Sequence, residues 1–322
     1  MVFSATALTG TVIDGQQRRH RFRILFTANT LGYIDPCECN AGLLGGLDKR
    51  TAAIRRNSDI GRPVFLIDLG NLFEVPRIGP PTELGKRQAA FLSDEMERMG
   101  YQLLALGAKD LSLPPDYLAQ YMPESDYKPL LTNRAENADI GVETIPVLRL
   151  EIAGLKLDFL NVVDPDQAGR KGILRPWESS LRSALAASDS GDDPADMQVV
   201  IVHSSFRTTE DIPNRFPEID VLLDGEMILH RQAFRKERTI SMSAAGKGQR
   251  LAVLDITGVP RAEQSEGSWV VSGFQGRHIP MPPGSASDTD TWHRMRAFRT
   301  ELVEEGLIPP GSLKGLVAGE KR

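Results

Sequence analysis

Apolar residues along this chain fall into two rhythms. Near-continuous runs occur at 22–28, 64–69, 103–106, 199–202 and 221–223, each closing on a small polar or glycine-bearing turn. Such runs predict strands buried on both faces, and Val64-Phe65-Leu66-Ile67-Asp68-Leu69 before Gly70-Asn71 is the clearest of them. Between the runs, apolar residues recur at helical intervals. The segment 83–99 places Leu84, Ala89, Phe91, Leu92, Met96 and Met99 on one side, and Gly100 stops it. Helices are also predicted over 47–56, with Arg and Lys on its outer face, and over 115–121 and 179–187. Segments 144–152 and 155–162 read as a hairpin turning at Ala153-Gly154. Further strands are expected at 239–243, 251–256 and 269–274. Repeated strand–loop–helix units predict an α/β layered sandwich.

The same pattern sets the organisation. Residues 1–20 read as a leader or an extra strand, 21–279 as one domain, and 280–322 as a linker followed by a C-terminal helix and tail. In that helix, about 288–305, Trp292, Met295, Phe298 and Leu302 form a stripe that suits docking onto the domain. A chain of 322 residues can bury a large core.

Charge and composition mainly exclude. A net charge of −5 gives no electrostatic reason to expect nucleic acid as a partner, and the basic cluster at 18–23 reads as a solvated edge. No apolar run approaches the roughly 18 residues that span a bilayer. The start of the chain lacks a charged segment followed by an apolar one, so no signal peptide is visible and the sequence alone predicts a cytoplasmic protein. Two cysteines separated by one residue do not make a disulfide framework.

Chemistry concentrates in residues 22–50. A strand delivers the backbone into Thr27-Ala28-Asn29-Thr30, Cys37-Glu38-Cys39 follows, and Gly45-Gly46 opens a basic helix. Strand-end loops are where α/β proteins place their sites. Cys37 and Cys39 are candidates for a low-pKa thiol pair or half of a metal site, though no second cysteine cluster completes a zinc site. Gly45-Gly46 can cradle an anion or simply make the turn.

Five strand-end blocks, taken in order, resemble the calcineurin-like metallophosphoesterases of the 5′-nucleotidase and UDP-sugar hydrolase branch. Ile24-Leu25-Phe26-Thr27-Ala28-Asn29-Thr30-Leu31-Gly32-Tyr33 resembles the family's ILHTND-x-HG-Y, and Gly45-Gly46-Leu47-Asp48-Lys49-Arg50 its GGLAR helix start. Leu66 to Phe73 resembles LLDAGDLF, and Met99 to Leu111 resembles MGYDAVALGNHEFD. Residues 199–205 and 221–228 resemble VVIV-x-SH and VILGGHTH. The resemblance implies a four-layer α/β/β/α metallophosphoesterase-like sandwich. It also implies an active site on loops at one edge, where two divalent metals activate water for phosphoester hydrolysis.

At the positions of the family's ligands and catalytic groups this chain carries Asn29, Leu31, Asn71, Ala108, Lys109, Ser205, Glu226 and Ile228. Asn29 and Asn71 replace carboxylates, Leu31 and Ile228 offer no lone pair, and Lys109 brings a positive charge. Holding two dications together without the bridging carboxylate is electrostatically costly. The expectation is therefore a catalytically degenerate module with no metal or other cofactor. Such a module binds a phosphate-containing small molecule or a protein partner. Lys109 with Asn29 and Asn71 would suit an oxyanion. One alternative is a hydrolase with a single divalent metal held by residual ligands among His203, His230, Asp68, Asp110 and Glu226. A second is a thiol redox accessory using Cys37 and Cys39. Relatives of this kind are commonly exported to the periplasm, which sets the resemblance against the cytoplasmic reading.

Overall fold

A computed structural model describes residues 19–39, 42–58, 60–122, 129–190, 193–260 and 269–315. The leader expected over 1–20 lies outside them, except that the first strand begins at His20.

Two sheets carry the architecture. The first joins β1 (His20–Thr27), β4 (Val64–Asp68), β5 (Leu103–Leu104), β12 (Arg250–Pro260) and β13 (Trp269–Pro280) in the order β13-β12-β1-β4-β5. The second joins β6 (Leu148–Ile152), β7 (Leu155–Val163), β8 (Met197–His203), β9 (Val221–Asp224), β10 (Arg231–Lys236) and β11 (Thr239–Ser243) in the order β10-β11-β9-β8-β7-β6. A small hairpin, β2 (Pro36–Cys39) and β3 (Gly42–Gly45), stands apart.

Alternation along the strands builds the layers. Phe22, Ile24 and Phe26 of β1 face Phe159, Val199 and Ile201 of the second sheet, while Leu25 points the other way. That other face is covered by α1 (Leu47–Ser58), α2 (Glu83–Met99), α3 (Pro115–Tyr121) and α6 (Thr289–Glu304). Val200 and Val202 of β8 likewise face α4 (Trp177–Asp189) and α5 (Phe206–Arg215). Strands sandwiched this way are apolar on both faces, which is why they read as continuous runs. The result is a mixed α/β, four-layer helix–sheet–sheet–helix fold.

Where the structure departs from the periodicity, the reasons are local. The helix α5 escapes the pattern because Pro213 sits inside it and few of its residues are apolar. The edge strand β10, RQAFRK, is polar because it is half-exposed. The expected linker at 280 begins one residue late, since β13 runs through Pro280. In α6, Met295, Phe298 and Leu302 are buried against the domain and Trp292 is half-buried beside Arg296. Arg50 is not on the outer face of α1. It is 1% exposed, because it shares the buried side with Leu47, Thr51 and Ile54.

Candidate functional site

Loops from both sheets meet at one edge. β1 leads into Asn29, β4 into Asn71, and the turn after β5 into Lys109. From the second sheet, β8 ends at His203 and β9 leads into Gly225-Glu226. The first two loops are laced by main-chain bonds from Asn29 N to Gly70 O at 2.8 Å, Leu31 N to Asn71 O at 3.0 Å and Gly32 N to Leu72 O at 2.8 Å. This path requires left-handed backbone at Asn29, Leu31 and Asn71, with φ of 51°, 54° and 57°. Asparagine visits that region readily, whereas leucine does so at a steric cost.

The side chains meet directly. Asn71 Nδ2 donates to Asn29 Oδ1 at 2.8 Å and to Glu226 Oε2 at 3.0 Å, and Asn71 Oδ1 accepts from Lys109 N at 2.8 Å. Asn29 Nδ2 donates to the carbonyls of Gly225 and Met227 at 2.9 and 3.2 Å. Lys109 Nζ donates to Glu226 Oε1 at 2.6 Å. His203 places Nε2 2.7 Å from the Leu69 carbonyl and Nδ1 3.3 Å from Glu226 Oε2. Both ring nitrogens thus face oxygen atoms.

Glu226 is the hub. Burial pushes its carboxyl up, but the hydrogen bond and charge of His203, with Lys109 and Asn71, outweigh this and hold it at about 2. Close approach is part of the design. A Cβ on Gly225 would lie 2.5 Å from His203 Cε1, and one on Gly107 would collide with the Asn71 carboxamide.

Of the residues named from the sequence, Asn29, Asn71, Lys109, Glu226 and His203 come together. Ser205 does not: its hydroxyl accepts from Thr208 N at 3.3 Å and caps α5. β8 ends at His203, so Ser205 lies beyond the strand and His203 is the β8 side chain that reaches the site. Ala108 is buried in the core beneath α2 and α3, Leu31 is half-buried, and Ile228 is 47% exposed on the rim. Neither Leu31 nor Ile228 fills the centre of the site; the polar network does.

Asp68 and Asp110 face the floor. Asp68 accepts from the Thr27 hydroxyl at 2.6 Å and Gly70 N at 2.9 Å. Asp110 accepts from the amides of Asn71, Leu72 and Gly107 at 2.7, 2.8 and 3.0 Å. Burial raises both carboxyls, Asp68 to about 6. His230 is exposed and packs edge-on against His278, at 4.9 Å between ring centres. Cys37 is buried in β2 within reach of Lys247, whose ammonium also lies 5.1 Å from the Tyr33 ring. Cys39 lies in the same strand, and its side chain is outside the described residues. Among the described residues no group of three or more His, Cys, Asp or Glu is placed to hold a metal ion.

Sequence reasoning missed the carbonyls of Leu69, Gly225 and Met227 as partners, and Arg50 and Tyr101 beneath the loops. Arg50 could have been found from its three- and four-residue spacing to Leu47 and Ile54.

No family model matches this chain, and no curated protein matches it by sequence. Solved structures do match in shape. A 5′-nucleotidase precursor from Thermus thermophilus superposes with a TM-score of 0.69 at 17% identity, over 88% of this chain and 59% of its own. The calcineurin-like phosphoesterase YfkN from Bacillus subtilis gives 0.67 at 14% identity, over 89% of this chain and 99% of its own. The sulfate thiohydrolase SoxB of Thermus thermophilus gives 0.68 at 14%, over 88% and 61%. This chain has the calcineurin-like phosphoesterase fold seen in 5′-nucleotidases, and it spans about three-fifths of the length of the nucleotidase and of SoxB. No helix among the described residues is long and apolar enough to cross a membrane.

Proposed function

We propose that this chain is a catalytically degenerate member of the metallophosphoesterase fold that acts as a binding or interaction module. One observation carries the reading: the Lys109–Glu226 ion pair, joined by His203, Asn71 and Asn29, stands where the resemblance calls for two metals.

The residues present do not suit a pair of dications. Glu226 has both oxygens engaged, the Asn29 carboxamide oxygen accepts from Asn71 Nδ2 and that of Asn71 from Lys109 N, and an ammonium occupies the centre. A cation already neutralises the carboxylate, so a metal would have to expel it. The same closure argues against the oxyanion reading of Lys109, whose ammonium is spent on Glu226. A protein partner at the rim of these loops is therefore the favoured ligand class.

The second reading, a single-metal hydrolase, draws on His203 and Glu226, two ligand types held 3.3 Å apart. Elemental analysis of purified protein, with p-nitrophenyl phosphate as substrate in added manganese or zinc, separates the two. The degenerate reading expects substoichiometric metal and no turnover above buffer. Stoichiometric metal together with hydrolysis that Glu226→Gln abolishes would overturn it.

A further inference from the structure

Six large apolar side chains stand exposed among the described residues: Tyr33, Leu43, Ile78, Phe206, Ile228 and Leu229. All but Ile78 border the loops of the candidate site. Single exposed apolar residues are ordinary, whereas a contiguous set marks a surface that something covers. Contacts through the 243–248 segment make this set contiguous. Gly246 N donates to the Ile228 carbonyl at 2.9 Å and Lys247 N to that of Asn29 at 2.7 Å. The Lys247 ammonium lies 5.1 Å from the Tyr33 ring, and Gly248 abuts Gly45, two residues after Leu43. On the other side Ser243 Oγ donates to the Leu229 carbonyl at 3.1 Å and accepts from Arg231 N at 2.8 Å. The Arg231 guanidinium in turn lies 5.7 Å from the Phe206 ring.

We infer that this rim is a docking surface for a polypeptide segment of a partner protein that carries apolar side chains beside aspartate or glutamate. The inference rests on the degenerate-module reading above and names the chemistry of its partner. Leu229 is 75% exposed and Phe206 57%, so each has most of its apolar surface to bury against a partner. Charge decides the polar part. Lys109 and Arg231 are spent on Glu226 and Glu210, whereas among the described residues no carboxylate pairs with Lys247 or Arg207. Exposed Glu74, beside Gly32, limits this positive face on the Tyr33 side.

Net charge sets the size of the acidic part. A nucleic acid or an anionic bilayer would bring many charges against a chain of net −5. A short segment brings only the few that Lys247 and Arg207 can take. A second copy of this chain, docked rim to rim, would set the same cations against each other.

The anchors are held in place before any partner arrives. Lys247 has a φ of 58°, bonds through its amide to Asn29 and lays its ammonium on the Tyr33 face. Ile228 packs so closely on the same segment that a Cβ on Gly246 would lie 2.9 Å from its Cγ2. Phe206 is the first residue of α5, and the Ser205 hydroxyl caps that helix. Side chains fixed in this way lose little freedom on binding.

Panning a phage-displayed library of random peptides, each about 12 residues long, on the whole chain tests the proposal, with fluorescence anisotropy of the selected peptides. Selected sequences should combine Leu, Phe or Trp with Asp or Glu, and changing their acids to lysine should weaken binding about tenfold. Leu229→Ser and Phe206→Ser should each weaken it about tenfold, and Lys247→Glu about fivefold with a shallower salt dependence. Ile78→Ser, equally exposed but off the rim, should leave it unchanged. Failure to select any peptide, selection of sequences without acids, or affinities indifferent to Leu229→Ser and Phe206→Ser would each overturn the docking surface. Binding of phosphatidylglycerol vesicles or single-stranded DNA that these variants abolish would assign the rim to a polyanion and overturn it too. Metal content and p-nitrophenyl phosphate turnover of the same preparations report on the degenerate reading itself, so the two failures are told apart.

Discussion

Lys109 and Glu226, 117 residues apart in sequence, join the two sheets through a 2.6 Å ion pair at the centre of the candidate site. Lys109 comes from the loop after β5 and Glu226 from the loop after β9, so the bond crosses from one sheet to the other. The two side chains are 34% and 20% exposed, which places the pair between a surface contact and a buried one. Lys109→Met is expected to cost about 1–2 kcal/mol, and a double-mutant cycle with Glu226→Gln in urea should recover a coupling of about 1 kcal/mol. A coupling near zero would mean that the pair does not tie the sheets together.

The depressed Glu226 carboxyl gives an acid signature. Its folded value, about 2, lies below its unfolded value of 4.5. The stability it contributes is therefore present above 4.5 and is lost as pH falls through about 2. Chemical denaturation of the wild type and Glu226→Gln at a series of pH values should show their difference shrinking by about 2 kcal/mol between pH 5 and 2. A constant difference would show that Glu226 is not held ionised by its neighbours.

Gly225 is needed for close approach. Its φ lies outside the left-handed range, so Ala is conformationally allowed, yet the new methyl carbon would sit 2.5–2.9 Å from His203 and the Leu69 carbonyl. Gly225→Ala is expected to lose about 2–3 kcal/mol through displacement of the His203 ring. A shift in the His203 NMR signals larger than that of His293, in the C-terminal helix, would show that the loss arises at the site. Full stability in the variant would contradict the packing described here.

Leu31 stores strain. A leucine at φ 54° pays about 1–2 kcal/mol relative to a residue at ease there. Glycine relieves that strain but loses more chain entropy on folding. Leu31→Gly should therefore raise stability by about 0.5 kcal/mol, read as a higher denaturation midpoint at unchanged slope.

The C-terminal helix belongs to the body of the fold. Phe298 is 6% exposed and stacks on Phe91 with ring centres 4.3 Å apart. Phe298→Ala should cost about 3 kcal/mol, whereas half-buried Trp292→Ala should cost about 1 kcal/mol or less. Equal losses at the two positions would place the stripe differently.

The sequence by itself determined the layers. Short continuous apolar runs closing on glycine or polar turns read as strands covered on both faces, and the helical stripes of α2 and α6 face one core. It also located the loops that meet at the candidate site. Thr27, Asp68 and Tyr101 keep the residue types of the blocks quoted for the resemblance, and the Thr27 hydroxyl touches both of the others beneath the floor.

Only the tertiary structure decided what meets what. That Lys109 closes on Glu226, that His203 rather than Ser205 joins them, and that Arg50 turns inward all depend on the relative placement of loops from two sheets and a helix. Periodicity reports how one element is buried. An ion pair and a glycine forced by a neighbouring imidazole each depend on the distance between elements far apart in the chain, and that distance is set by packing.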